Sequence, residues 1–159
     1  ASPLLDKREV RIQRMFGQIA PWYDFLNHLL SLNVDRHWRR QAVKLVPPRD
    51  PEAGPILDLC TGTGDLAFAY NAAAKGQVPI IGADFCAPML ERAGQKIRAN
   101  EPITFVEADA QNLPFADDTF QLVSNAFGLR NITDTARGLA ETVRVLKPGG
   151  RVAILEFSK

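Results

Sequence analysis

Ile56-Leu57-Asp58-Leu59-Cys60-Thr61-Gly62-Thr63-Gly64-Asp65 is the stretch on which the fold turns. Its first four residues read as a short buried strand of a parallel sheet. Gly62 and Gly64 then open a turn tight enough for backbone N–H groups to face a ligand at the start of the next helix. Such a turn cradles a nucleotide-type group. It does not choose among them, because Gly62, Gly64 and Ala67 also satisfy the loose glycine pattern of dinucleotide-binding proteins.

Outward from this stretch, strands and helices alternate. After Ile56–Leu59 the pattern predicts a helix over Asp65–Ala74, a strand over Pro79–Asp84 and a helix over Pro88–Ala99. Strands at Ile103–Glu107 and Phe120–Asn125, a helix over Thr133–Leu146 and a strand over Arg151–Phe157 complete it. This is the signature of an α/β fold: an open, mostly parallel sheet with helices on both faces. Ligands of such sheets sit outside the carboxyl ends of the strands.

Those ends are acidic. Asp84 closes the second strand about 20 residues after the glycine turn, the spacing at which a carboxylate accepts both ribose hydroxyls of an adenosine. A 2′-phosphate would be repelled there. Asp109-Ala110 follows the third strand and suits an adenine amine and ring nitrogen, with a plain turn-capping role as the alternative. Asp58 would meet a ligand ammonium, directly or through water, and would conflict with a pyrophosphate. The expected ligand is therefore S-adenosylmethionine. After the fourth strand, Ala126 leads into Phe127-Gly128-Leu129-Arg130-Asn131, where Arg130 and Asn131 supply polar donors beside apolar residues. No N-P-P-Y or D-P-P-Y tetrapeptide stands there, which disfavours enzymes that methylate exocyclic amines of nucleic acids.

The rest of the composition is consistent with one ordinary domain. The 159 residues are 46% hydrophobic and 23% charged, with a formal net charge of +1, so no nucleic-acid partner is expected. Cys60 and Cys86 are far apart and lack metal-ligand spacing, so no metal is expected and a reducing, cytoplasmic setting fits. No apolar run approaches the roughly 20 residues that cross a bilayer.

Before the strand lie helical patterns. Ile12, Met15, Phe16 and Ile19 form one amphipathic stripe, and Trp22, Phe25, Leu26, Leu29 and Leu30 a second. Both suit either a core face or a lid over a greasy ligand. Asp35 reads as the N-cap of a helix over Arg36–Val46 that turns Trp38, Ala42 and Leu45 inward and Arg36, Arg39, Arg40 and Lys44 mostly outward, a basic face also suited to anionic headgroups. Residues 1–47 are thus expected to form a helical lid, and residues 56–159 the ligand-binding core. Pro47, Pro48, Pro51, Gly54 and Pro55 make a breaker-rich linker between them.

The whole pattern resembles the ubiquinone/menaquinone biosynthesis C-methyltransferases, a branch of the class I S-adenosylmethionine-dependent methyltransferases. The resemblance rests on Met15-Phe16 with Tyr23-Asp24 and Asn27, on Trp38-Arg39-Arg40, on Leu57-Asp58 through Leu66, and on Gly82 through Phe85. It continues in Asp109-Ala110 with Leu113-Pro114-Phe115, in Phe127 through Asn131, and in Arg144 through Gly150 with Leu155 through Lys159. It implies a Rossmann-like core and methyl transfer to a ring carbon of a polyprenylated lipid quinol. Thr63, Asp84, Asp109, Ala110 and Ala126 match cofactor positions; the last is often serine in the family. Gly62, Gly64 and Asp58 complete the expected cofactor set. Arg130, Asn131, Tyr23 and Asp24 are the expected catalytic residues, with Arg130 stabilising phenolate-like charge.

The family pattern continues after Lys159 with a helix and an antiparallel strand pair. A C-terminal truncation is therefore expected, leaving the last strand as a sheet edge open to homo-oligomeric pairing. Peripheral contact with the inner face of a membrane is the expected location of a quinol-using enzyme.

Overall fold

The computed structural model describes residues 34–156. The two amphipathic stripes, with Tyr23 and Asp24, lie outside the described residues, as do Phe157 to Lys159. The order is α1 (Val34–Leu45), β1 (Ile56–Leu59), α2 (Asp65–Ala73), β2 (Ile80–Asp84), α3 (Ala87–Gln95), β3 (Ile103–Glu107), β4 (Phe120–Ala126), α4 (Thr135–Val145) and β5 (Leu146–Leu155). The strands form one parallel sheet in the order β3-β2-β1-β4-β5. The α/β class, the Rossmann-like architecture and most element positions match the sequence reading.

β1 is central, and all four of its residues are buried. Its period of two divides them between two cores. Ile56 packs with Leu66, Tyr70 and Ile80 on the face that α1 and α2 cover, joined there by Val43 and Val46 of the first helix and the residue after it. Leu57 and Leu59 pack on the other face with Phe120, Val123 and Val145. Tyr70 is fully buried, and its hydroxyl donates to the Val46 carbonyl at 3.0 Å, so α2 fixes the end of α1 through a satisfied polar tip.

Several boundaries and faces differ from the sequence reading, each for a local reason. Asp35 lies inside α1 and is not its N-cap. Trp38 and Leu45 are exposed, by 45% and 77%, and the side facing the core is that of Ala42, Val43 and Val46. Arg39 shares that side and is drawn toward Asp65. α3 stops at Gln95 because the chain turns toward β3: Asn100 takes a left-handed φ of 69°, and Glu101 Oε1 accepts from the Arg98 N–H at 2.6 Å. β5 begins at Leu146, opposite Phe120, and resumes register at Arg151 opposite Leu122. Lys147-Pro148-Gly149-Gly150 is thus an excursion within the strand, and Gly149, at φ 80°, provides its turn.

The Leu113-Pro114-Phe115 segment, which carries no regular structure, is clamped by side chains. Arg144 donates to both oxygens of Glu141, at 2.7 and 3.0 Å, and to Asp117 Oδ1 at 2.8 Å. It also donates to the carbonyls of Phe115 and Leu113, at 2.8 and 3.0 Å. Glu141 in turn accepts from the Leu113 N–H at 2.7 Å. The clamp holds Leu113 and Phe115 against the core, where the Phe115 ring meets Phe120 edge-on with centroids 5.2 Å apart. Only a planar guanidinium reaches these acceptors together. Arg144→Ala is therefore expected to lower the thermal unfolding midpoint, and Arg144→Lys to recover little of the loss; full recovery by lysine would show that charge alone matters.

Candidate functional site

The site grows out of the sheet order. The chain lays down β1, β2 and β3 in one direction and crosses back to place β4 on the other side of β1, opening a crevice at the carboxyl ends of β1 and β4. Leu59 pairs with Asn125 across that junction, so the loops after β1 and β4 lie side by side. They fit closely: a Cβ on Gly128 would overlap the Cys60 side chain.

The glycine turn has the conformation its sequence demands. Gly62 and Gly64 have φ of 57° and 88°, and a Cβ at Gly64 would come within 2.7 Å of the Phe105 ring. Asp84 reaches across from β2 and holds the turn, its Oδ2 accepting from the Gly62 N–H at 2.8 Å. Its Oδ1 accepts from Cys86 N–H at 2.9 Å. Burial raises the Asp84 carboxyl above its usual range, and backbone N–H bonds from Cys86, Gly62 and Phe85 oppose the rise. A carboxylate has about four lone-pair sites, so even three backbone bonds leave a site for a ribose hydroxyl.

Three cavities sharing Cys60 run along the strand ends. The largest, 510 Å³, is lined by Asp84, Phe85, Glu107, Asp109, Ala110 and Asn131, among others, a size ordinary for a small-ligand site. A second meets Gly62, Met89, Ala126, Phe127, Gly128 and Asn131. The third meets Asp58, Thr61, Gly62, Thr63, Asp65 and Arg39. Every cofactor residue read from the sequence except Gly64 lines one of them, and Gly64 is the N-cap of α2 behind the turn.

Asp109 is a turn cap that also stands at the large cavity; its Oδ1 accepts from the Gln111 N–H at 2.9 Å. Asp58 is deeper than read. It is 2% exposed, with Thr61 Oγ1 donating to one carboxylate oxygen and Ser124 Oγ to the other, each at 2.7 Å. Burial pushes its carboxyl up to about 7, against those two hydrogen bonds, and the charges of Asp84 and Asp65 add to the rise. Cys60 has a left-handed φ of 54° and lines all three cavities, and burial raises its thiol.

Asn131 ends a short 3-10 turn, Leu129–Asn131, and lines both the large cavity and the one beside Phe127. The backbone of Arg130 lies in the same turn. Tyr23 and Asp24 lie outside the described residues. Sequence reading missed Ser124, Thr61 and Arg39 as parts of the site. Ser124 was findable only once β1 and β4 were known to be neighbours, since register puts it opposite Asp58.

No helix among the described residues is long and apolar enough to cross a membrane.

The cradle fits the group the sequence reading named, by its glycine backbone, its ribose-spaced carboxylate and its acidic amino-acid end, and comparisons with known proteins point the same way. The chain matches the ubiE/COQ5 methyltransferase family over residues 4–159. It is 48% identical over 157 residues to the ubiquinone/menaquinone biosynthesis C-methyltransferase UbiE of Geotalea daltonii, covering 97% of this chain and 66% of that protein. It is 50% identical over 144 residues to the demethylmenaquinone methyltransferase of Thermus thermophilus, covering 90% and 64%. The chain thus spans about two thirds of the length of these relatives. Among solved structures, a putative S-adenosyl-L-methionine-dependent methyltransferase from Methanococcus maripaludis superposes with a TM-score of 0.75 at 23% identity, covering 87% of this chain and 62% of that one. The putative methyltransferase solved with the Haloferax volcanii Trm112 activator gives 0.70 at 27% identity, covering 85% and 57%. Strand order, glycine turn and a match along nearly its whole length together place this chain in the ubiE/COQ5 methyltransferase family.

Proposed function

We propose that this chain is the cofactor-binding part of an S-adenosylmethionine-dependent C-methyltransferase that methylates the ring of a polyprenylated quinol in menaquinone or ubiquinone biosynthesis. The observation that carries the reading is the row of adjoining cavities along the strand ends, all bordered by Cys60, with Asp84, Asp109 and Ala110 at the large one and Asp58, Gly62 and Thr63 at the third. The relatives, one a ubiquinone/menaquinone biosynthesis C-methyltransferase and one a demethylmenaquinone methyltransferase, support the acceptor class.

Bound there, S-adenosylmethionine supplies an electrophilic methyl group on a sulfonium. The chain's own residues bind and orient. Asp84 takes the ribose hydroxyls while keeping Gly62 in place, and Asp109 with the Ala110 N–H takes the adenine edge. Asp58, ionised, takes the ammonium through its remaining lone pairs or a water. Met89, Ala126 and Phe127 line the second cavity, and their apolar surface favours a ring over water.

A quinol ring carbon becomes nucleophilic as the neighbouring hydroxyl loses its proton. The Leu129–Asn131 turn stands beside that cavity, so Asn131 orients the oxygen and Arg130 stabilises the charge that develops on it, a charge-assisted bond of the strong kind. Tyr23 and Asp24 remain the proposed aromatic wall and proton acceptor. A lipid quinol substrate implies peripheral contact with the inner face of the membrane and a cytoplasmic location. Homo-oligomeric association is a further proposal, through β5, which pairs on one side only among the described residues.

The deciding assay gives a full-length relative-sized protein a panel of reduced quinols, oxidised quinones and small phenols with labelled S-adenosylmethionine. Label is expected in reduced quinols; equal transfer to small phenols would remove the quinol assignment. Asp84→Ala is expected to weaken S-adenosylmethionine binding by about 1.5–3 kcal/mol in calorimetric titration. A preference for NAD would overturn the cofactor.

Asp58 gives the binding a pH signature. Its folded value, about 7, lies above the unfolded 3.8, so the neutral form is favoured by folding, and stability of the unliganded chain falls as pH rises between those values. A ligand ammonium favours the ionised form instead. Affinity is expected to rise on the order of tenfold between about pH 6 and about pH 7.5, with proton release on binding. Asp58→Asn is expected to flatten both the affinity profile and that part of the stability profile; a pH-independent affinity in the unsubstituted protein would separate Asp58 from the ammonium.

A further inference from the structure

The glycine turn and the acidic strand ends leave one end of the ligand without a partner. An amino-acid group carries a carboxylate as well as an ammonium, and the third cavity is lined by two acids, Asp58 and Asp65, that repel it. Among the described residues, one cation lines that cavity, Arg39 of α1. Its side chain is 14% exposed, and Nη1 lies 3.5 Å from Asp65 Oδ2. Lys96 Nζ stands 3.5 Å from the other oxygen of the same carboxylate.

These two pairs are long. The pairs that Arg144 makes with Glu141 and Asp117, at 2.7 and 2.8 Å, show what a tight ion pair looks like in this fold. The Arg39 guanidinium and Asp65 line the same cavity, so a ligand carboxylate entering it would meet the guanidinium beside that contact. The planar fork of arginine matches a carboxylate with two parallel N–H bonds. Arg39 also sits on the right face. Asp58 lies on the same side of β1 as Ile56, the side that α1 and α2 cover, so guanidinium and buried carboxylate border one small space.

Resting on the cofactor reading given above, we propose that Arg39 recognises the α-carboxylate of S-adenosylmethionine, opposite in charge to Asp58, so that the third cavity is a zwitterion subsite shared between α1 and the turn after β1. The residue then discriminates for the amino-acid tail and adds nothing to adenosine binding. It also makes α1 part of the cofactor site instead of a cover over it.

The test is calorimetric titration of the whole chain with three compounds: S-adenosylmethionine, its decarboxylated form, which keeps the ammonium and sulfonium, and methylthioadenosine, which has no tail. Arg39→Gln is expected to weaken S-adenosylmethionine about 10- to 100-fold while the other two stay within about twofold, and Arg39→Lys to restore part of the loss. Equal weakening of all three would mean that Arg39 only props the turn through Asp65, and overturns the proposal. Unchanged S-adenosylmethionine affinity overturns it too. If the unsubstituted chain binds none of the three, the cofactor reading itself fails, a result distinct from either.

Discussion

The bond between the Asp84 carboxylate and the Gly62 N–H, 2.8 Å long, joins the ends of β2 and β1 and gives the ligand site its shape. The glycine turn adopts two left-handed conformations and approaches the Phe105 ring closely, a geometry that needs an external anchor. Burying a carboxylate costs free energy, and the backbone N–H groups of Gly62 and Cys86 offset part of it. What remains unsatisfied on the oxygens is what a ribose can satisfy. The same side chain therefore builds the cradle and borders the large cavity.

The second carboxylate works differently. Asp58 carries no backbone partner; it is held by two hydroxyls, from Thr61 on its own loop and Ser124 on the neighbouring strand. Hydroxyls compensate an ion less well than fixed backbone dipoles, and full burial does the rest, so the group titrates near neutrality. The two acids thus differ: Asp84 is anchored by backbone N–H groups, and Asp58 is held by hydroxyls under full burial.

Away from the crevice, the Arg144–Glu141 clamp gives the sequence motif Leu113-Pro114-Phe115 its meaning. These residues contribute no atom to the cavities, yet the segment follows directly from Asp109 and Ala110, which do. Pinning Leu113 at its N–H and carbonyl fixes where the β3 loop ends, and Gln111, between the two, both caps onto Asp109 and accepts from the Asp134 N–H at the start of α4. The wall of the large cavity at Asp109 and Ala110 is thus braced by the clamp on α4.

Much of this was legible in the residue order. β1, the glycine turn, the acid at the end of β2 and Asp109-Ala110 after β3 are local patterns: a short apolar strand, a positive-φ turn and a carboxylate at a strand end each follow from a few adjacent residues, and alternation of strands with helices fixes which ends are carboxyl ends. The faces of α1 were not legible, since Trp38 and Leu45 are as apolar as Val43 and Val46, and only packing against α2 decides which pair is covered. Nor were the partners of Asp58 and the place of Arg39. Ser124 stands 66 residues from Asp58 and Asp65 stands 26 from Arg39, so no spacing rule connects them. The sequence by itself determined what kind of ligand the strand ends receive; the return of the chain from β3 to β4 beside β1, and the docking of α1 over that junction, decided which charges meet there.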